Sequence, residues 1–242
     1  VSLLFFIIYT GTTADKRKYG FRRAFTFRPH LLKGMLSISG WTMVQSFISV
    51  SIWFIFFLAI EHLGERPLAV TNIVRNISAL LIMVISAFAT TAGALISNQI
   101  GAGEQRYLFR TCGMTLNLTY AILVPLLVIL CLFPEPVLRV FTDNPSLIAA
   151  SINSVYVMST STLIMAPAFI LFNAVSGTGN TKAGFIMEMI SLTVYTAAVY
   201  YIVIRLKPDV ALCWFSEHVY GIALIALAWW YLKSGKWRGK KV

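Results

Sequence analysis

The chain runs to 242 residues, 58% of them hydrophobic and only 12% charged, with a mean hydropathy of +0.77. A globular domain in water carries about 25% charged residues, so this composition excludes one and reads as an integral membrane protein. Twenty Lys and Arg stand against nine Asp and Glu, a net charge of +11, and the position of those charges decides whether they serve a nucleic acid or cytoplasmic loops.

The opening run Val1–Tyr9 is apolar but nine residues long, where a spanning helix needs about 20. It lacks the basic start and small-residue cleavage site of a signal peptide. We read residues 1–9 as the end of a truncated transmembrane helix, so the chain is expected to be a fragment lacking an N-terminal part. Residues 10–33 are basic. Gly34–Ile60 holds no charge and predicts the first full helix. Pro67 to about Ile100 predicts the second, with Arg75 inside it. Thr111–Phe133 predicts the third, Pro145–Phe172 the fourth, Ala183–Ile204 the fifth and Val210–Leu232 the sixth. Pro67 and Pro145 suit first helical turns, and Asp143 or Asn144 is placed to cap the latter. Pro134-Glu-Pro136 stops the third helix, and the glycines at 101, 103, 177 and 179 end the second and fourth. The fold class is therefore all-α, an integral membrane bundle of six transmembrane helices over 34–232, with a basic tail at 233–242.

An alternating path through six helices places fifteen basic residues on one side and four on the other. The rich side holds Lys16, Arg28, Arg106, Arg110, Lys182 and Lys233 among others; the poor side holds Arg66, Arg139, Arg205 and Lys207. By the positive-inside rule the rich side, with the C-terminus, is cytoplasmic. The basic excess then needs no nucleic acid, and the expected location is the plasma (inner) membrane. Trp229, Trp230 and Tyr231 at one end of the sixth helix, and Trp214 and Phe215 at the other, suit headgroup belts. Cys112, Cys131 and Cys213 lack metal-site or disulfide spacing and read as packing residues.

Three charges fall inside apolar spans: Arg75, Glu188 and Glu217. Such charges are costly in lipid and are functional candidates by default, for ion coupling or for structure. Arg75 lies about 12 Å past Pro67 and Glu217 about 10 Å past Val210, at about 1.5 Å per residue. Sharing a level, they are expected to face one another, directly or through water, as a structural ion pair or as a site that opens when a proton or cation claims Glu217. Glu188 lies nearer the cytoplasmic side, so no close pair with Glu217 is expected. It has no obvious cationic partner. A carboxyl group removed from water without a cation favours its neutral form, so Glu188 reads either as a proton-exchanging group or as a neutral acid bonded to a neighbouring helix.

Trp41, Gln45, Ser49 and Trp53 recur every four residues and share one helix face. Aromatics with an amide suit a flat organic ligand, by stacking and cation–π attraction; the alternative is a helix packing face. Asn72 and Asn76 flank Arg75 and join the candidate substrate cavity. Pro125 and Pro167 each remove a helix hydrogen bond and are candidate hinges. His30, His62 and His218 are scattered. No nucleophile–base constellation, metal cluster or phosphate loop is visible, and Gly177-Thr-Gly179-Asn180 lacks the Lys-Ser/Thr of a P-loop. The reading is not an enzyme and has no cofactor and no metal; energy would come from an ion gradient.

Two segments carry a family resemblance. Ala69-Val-Thr-Asn-Ile-Val-Arg75 leads through an uncharged helix to Ser97-Asn-Gln-Ile-Gly-Ala-Gly-Glu104, and two helices later stands Asn173-Ala-Val-Ser-Gly-Thr-Gly-Asn-Thr-Lys182. Both resemble segments of the multidrug and toxin extrusion (MATE) family. The resemblance implies that 34–232 is one lobe, helices seven to twelve, of a twelve-helix transporter, and that 10–33 is the cytoplasmic connection between lobes. It implies a secondary transporter that exports organic, often cationic, compounds by antiport with protons or sodium. Its partners would be a small organic substrate, membrane lipids and the N-terminal lobe of the same protein. Many members place coupling carboxylates in the seventh and tenth helices. Here Ile38–Ser49 and Ser159–Phe172 hold no acid, and Met165 stands at or near one expected position. The coupling carboxylate is then expected in the other lobe. The alternatives are a lipid-linked saccharide exporter or flippase of the same superfamily and a non-transporting membrane assembly protein.

Overall fold

The computed structural model describes Tyr9, residues 29–235 and Trp237. The expected truncated helix, most of the 10–33 connection and most of the basic tail lie outside these residues. The chain forms two units, Val1–Ser37 and Ile38–Val242. In the first, Pro29 opens a helix; everything below concerns the second.

The described residues form helices and no strand. They are α1 (Pro29–Glu61), α2 (Glu65–Gly101), α3 (Leu108–Leu132), α4 (Pro134–Arg139), α5 (Pro145–Gly177), α6 (Thr181–Val199), α7 (Val210–Cys213) and α8 (Phe215–Ser234). Among the described residues six spans are long and apolar enough to cross a membrane: Ser39–Glu61, Glu65–Gly101, Gln105–Leu132, Pro145–Gly177, Thr181–Leu206 and Val210–Ser234. Helices are what such segments must form, because lipid offers no partner for a free backbone N–H or C=O.

Polar residues at the span ends fix the boundaries. Asn144 Oδ1 accepts from the Ser146 amide at 3.0 Å, just ahead of Pro145. Asn180 Oδ1 accepts from the Ala183 amide at 3.2 Å, and Asp209 Oδ1 from the Val210 amide at 2.8 Å. Two features depart from the expected plain helices. Span five ends in a π-helical turn, Tyr200–Leu206, closed by Lys207 in the left-handed region (φ 45°). Span six is broken at Trp214 into α7 and α8.

Packing centres on α2 and α5. Their backbones touch: a methyl group on Gly177 would lie 2.5 Å from the Gly93 carbonyl oxygen, and one on Gly93 would lie 3.0 Å from that of Asn173. Small residues are what let membrane helices approach so closely. At the other end of the pair Arg66 Nη2 donates to Ser146 Oγ at 2.9 Å. The core between them holds Val74, Ile85, Val155 and Met158, joined by Leu123 from α3. Helix α8 packs on α5 and α6, with Gly221 against Ile164.

Both interior prolines sit within continuous helices. Pro167 cannot bond the Leu163 carbonyl one turn back; Tyr120 of α3 donates its hydroxyl to that oxygen at 2.8 Å.

Helix α1 is attached differently, by side chains more than by close backbones. Phe56, Ala59 and Ile60 are buried with Tyr195, Val199, Val203 and Cys213. Most of its other large apolar side chains, Phe47 and Val50 among them, are exposed, as suits a lipid-facing surface.

Candidate functional site

The gap between α1 and the other helices forms a cavity of about 380 Å³. Ser49, Val50 and Trp53 of α1 line it, with Ile82 of α2, Met165 and Phe169 of α5, Glu188, Leu192 and Tyr195 of α6, and Glu217 and Tyr220 of α8. Helical spacing assembles it: Tyr195 stands seven residues past Glu188, and Tyr220 three past Glu217, so each acid shares a face with a tyrosine.

Glu188 is 4% exposed. Its Oε1 accepts two hydroxyls, Ser49 Oγ at 2.9 Å and Tyr220 at 2.9 Å. Its Oε2 is buried with no hydrogen-bond partner. Glu217 is half-buried, and its Oε1 accepts from the Tyr195 hydroxyl at 2.9 Å. The Tyr195 and Tyr220 rings meet edge to face, centroids 5.8 Å apart. Each carboxyl group is thus held by a tyrosine and not by the other acid. Both line one cavity.

Glu217 also lines a smaller cavity of about 70 Å³, with Trp53, Ser78, Ile82, Ser161, Thr162, Met165 and Trp214. The Trp214 indole N–H there is buried without a partner. A cavity of this size with several polar groups accommodates water. Met165, at or near a position where the resemblance implies an acid, lines both cavities. The carboxylates come from α6 and α8 instead.

Arg75 does not reach Glu217. Its guanidinium lies over the Phe57 ring at 5.2 Å and the Trp53 ring at 5.8 Å, and its Nε is buried without a partner. The expected direct ion pair does not form, because α1 brings two aromatic faces to Arg75 while Glu217 turns to Tyr195 on α6. Shared depth did not specify which side of each helix the groups occupy.

Of the expected aromatic face, Ser49 and Trp53 line the large cavity and Trp41 and Gln45 do not. Residues four apart rotate by about 40° at each step of a helix with 3.6 residues per turn, so three steps carry the face away. Trp41 is 40% exposed and packs on Phe185 at 5.1 Å, while the Gln45 carbonyl lies 3.0 Å from Ser49 Oγ and shares its one hydroxyl proton with Glu188. Asn72 is half-buried and Asn76 exposed, and neither lines either cavity. Tyr195 and Tyr220 were missed; their signal was the spacing from each acid. His218 bonds Thr160 Oγ1 through Nε2 at 2.9 Å. Among the described residues no group of three or more His, Cys, Asp and Glu is placed to hold a metal ion.

The MatE family profile matches residues 42–202. The chain belongs to the MatE family. It is 24% identical over 213 residues to the probable multidrug resistance protein NorM of Thermotoga maritima, covering 87% of this chain and 46% of that protein. Its fold matches the Vibrio cholerae MATE transporter VcmN in the bent form with a TM-score of 0.77 at 16% identity, over 86% of this chain and 48% of that one. It also matches a MOP superfamily transporter from Pyrococcus furiosus, with a TM-score of 0.72 at 12% identity, over 82% of this chain and 44% of that one. The chain thus spans about half the length of these relatives. The MatE chain is a multi-pass membrane protein, and its six-helix bundle has the fold of one lobe of a MATE transporter.

Proposed function

We propose that this MatE chain is the C-terminal lobe of a secondary transporter that exports organic, often cationic, compounds by antiport with protons or sodium. The observation that carries the reading is the cavity of about 380 Å³ in which Glu188, Glu217, Tyr195, Tyr220 and Trp53 converge. Its wall of aromatic rings suits a flat apolar body. Two carboxyl groups in the same space suit a charge that must be neutralised away from water. A carboxyl group can hold a proton or face a cation, not both at once, and that competition is the chemical basis of exchange. The unpartnered Oε2 of Glu188 is the atom on which we place it.

Membership of the MatE family and the multidrug resistance relative in Thermotoga maritima support this reading. The charge distribution supports an orientation with the C-terminus in the cytoplasm, and we place the protein in the plasma (inner) membrane. The N-terminal lobe of the same protein would supply the facing half of the substrate path.

The test is transport by the full-length protein reconstituted in proteoliposomes. A cationic dye should be exchanged against an imposed proton or sodium gradient. Glu188→Gln should flatten the pH dependence of that exchange, and Glu217→Gln should weaken dye binding. An unchanged pH profile and unchanged dye affinity in both variants would sink the assignment of this cavity.

A further inference from the structure

A second groove runs along the outside of the bundle where α3, α5 and α8 meet. It encloses about 340 Å³ and shares no lining residue with the carboxylate cavity. Its lining is almost wholly apolar, and at its edge Phe109 and Trp229 stand ring to ring, centroids 5.2 Å apart. Gly113 keeps it open, since a methyl group there would meet nothing within 4 Å. Along α3 the lining runs from Phe109 to Leu116, about 10 Å at 1.5 Å per residue. That length suits a stretch of hydrocarbon chain.

One end of the groove is basic. Arg110 stands three residues before Gly113 on the same side of α3, and Arg106 lies in the 3-10 turn Gln105–Tyr107 that leads into that helix. Lys233 stands one turn beyond Trp229 on α8. All three are exposed. Arg106 lies over the Tyr107 ring at 4.7 Å, which leaves its charge in place. Glu104 is the acidic side chain nearest in sequence, so the edge remains net positive. These cations lie at the ends of the spans Gln105–Leu132 and Val210–Ser234, at headgroup level.

We propose that this groove binds an anionic phospholipid, with one acyl chain beside Phe109, Gly113 and Trp229 and the phosphate among Arg106, Arg110 and Lys233. Apolar groove and basic rim match the two halves of such a lipid. A zwitterionic lipid gives three cations no net partner, and an apolar helix from another protein gives them none.

The test titrates the purified full-length protein in detergent with dioleoyl-phosphatidylglycerol or dioleoyl-phosphatidylcholine and counts bound lipid by native mass spectrometry. The glycerol lipid should bind in preference. Arg106→Gln, Arg110→Gln and Lys233→Gln should each weaken it by about fivefold, the value of one basic residue at an anionic surface, without changing the choline lipid. Gly113→Leu should displace both lipids. Equal binding of the two lipids, or a triple Gln variant that keeps the preference, overturns the proposal. So does a dimer of the chain that Gly113→Leu abolishes, because a second copy is then the occupant. The Gln changes are at exposed sites, so the result does not depend on whether Gly113→Leu folds.

Discussion

Tyr195 and Tyr220 cross edge to face at 5.8 Å, and each hands its hydroxyl to a different glutamate. Two acids on separate helices are thereby held by two tyrosines that pack on each other, inside a largely apolar cavity. Hydrogen bonds fix each end and a ring contact joins the middle.

Ser49 and Tyr220 should prove energetically coupled, because both donate to Glu188 Oε1. Each single change, Ser49→Ala or Tyr220→Phe, should cost about 0.6 kcal/mol, the average for side-chain hydrogen bonds in membrane proteins. The double variant should depart from the sum by at least ~0.5 kcal/mol. Reversible unfolding in mixed micelles measures all three, and strict additivity would show that the two hydroxyls act independently.

Tyr120→Phe should be destabilising only while Pro167 is present. The phenol serves the Leu163 carbonyl that Pro167 leaves free. Removing it strands a backbone acceptor, at a cost of about 1–3 kcal/mol. In Pro167→Ala the helix can bond that carbonyl itself, and the same Tyr120→Phe change should become nearly neutral. A double-mutant cycle on thermal stability distinguishes this from a simple packing loss, which would persist in both backgrounds.

Two glycines should respond oppositely to alanine. At Gly177 a Cβ would lie 2.5 Å from the Gly93 carbonyl oxygen, so α2 and α5 must part, at about 1–3 kcal/mol. At Gly113 nothing stands within 4 Å, and alanine should gain up to about 1 kcal/mol from helix propensity. Melting curves of the two variants check the contrast.

Exchanging Arg75 and Glu217 should rescue nothing. Arg75 is held by Trp53 and Phe57, and Glu217 by Tyr195. The Arg75→Glu/Glu217→Arg double variant should therefore be no more stable than the worse single change. Arg75→Lys should cost about 1 kcal/mol, because a lysine replaces a planar stacking group with a compact ammonium. Stability recovered by the swap would restore the ion pair to consideration.

Much of the bundle was legible because lipid makes the rules strict. Charges cannot lie in a span without cause, so uncharged runs fell where the helices are, and Asn144 and Pro145 marked the start of α5. Direction around a helix was less legible. Of the four residues read as one face, Ser49 and Trp53 line the cavity with Glu188 while Trp41 packs on Phe185, and Arg75 lies against the Phe57 ring. The break at Trp214 and the π-helical turn at Tyr200–Leu206 left no trace, because apolar side chains all round a lipid-embedded helix give no periodicity that a local change of winding could disturb. Tyr195 and Tyr220 went unseen because a phenol in an apolar run reads as bulk until its hydroxyl has a partner.

The contact between Gly93 and Gly177 also has a mechanical meaning. With backbones abutting at one end and Arg66 bonded to Ser146 at the other, α2 and α5 act as a stiff beam, resisting both sliding and bending. Helix α1, from Ile38 onward, meets α2 through the Trp53 and Phe57 rings on Arg75 and packs otherwise on α6 and α7, contacts that can be exchanged one at a time. Compliance is therefore concentrated in the wall that carries Ser49 and Trp53, and a guest in the cavity can push that wall outward while the beam keeps its shape.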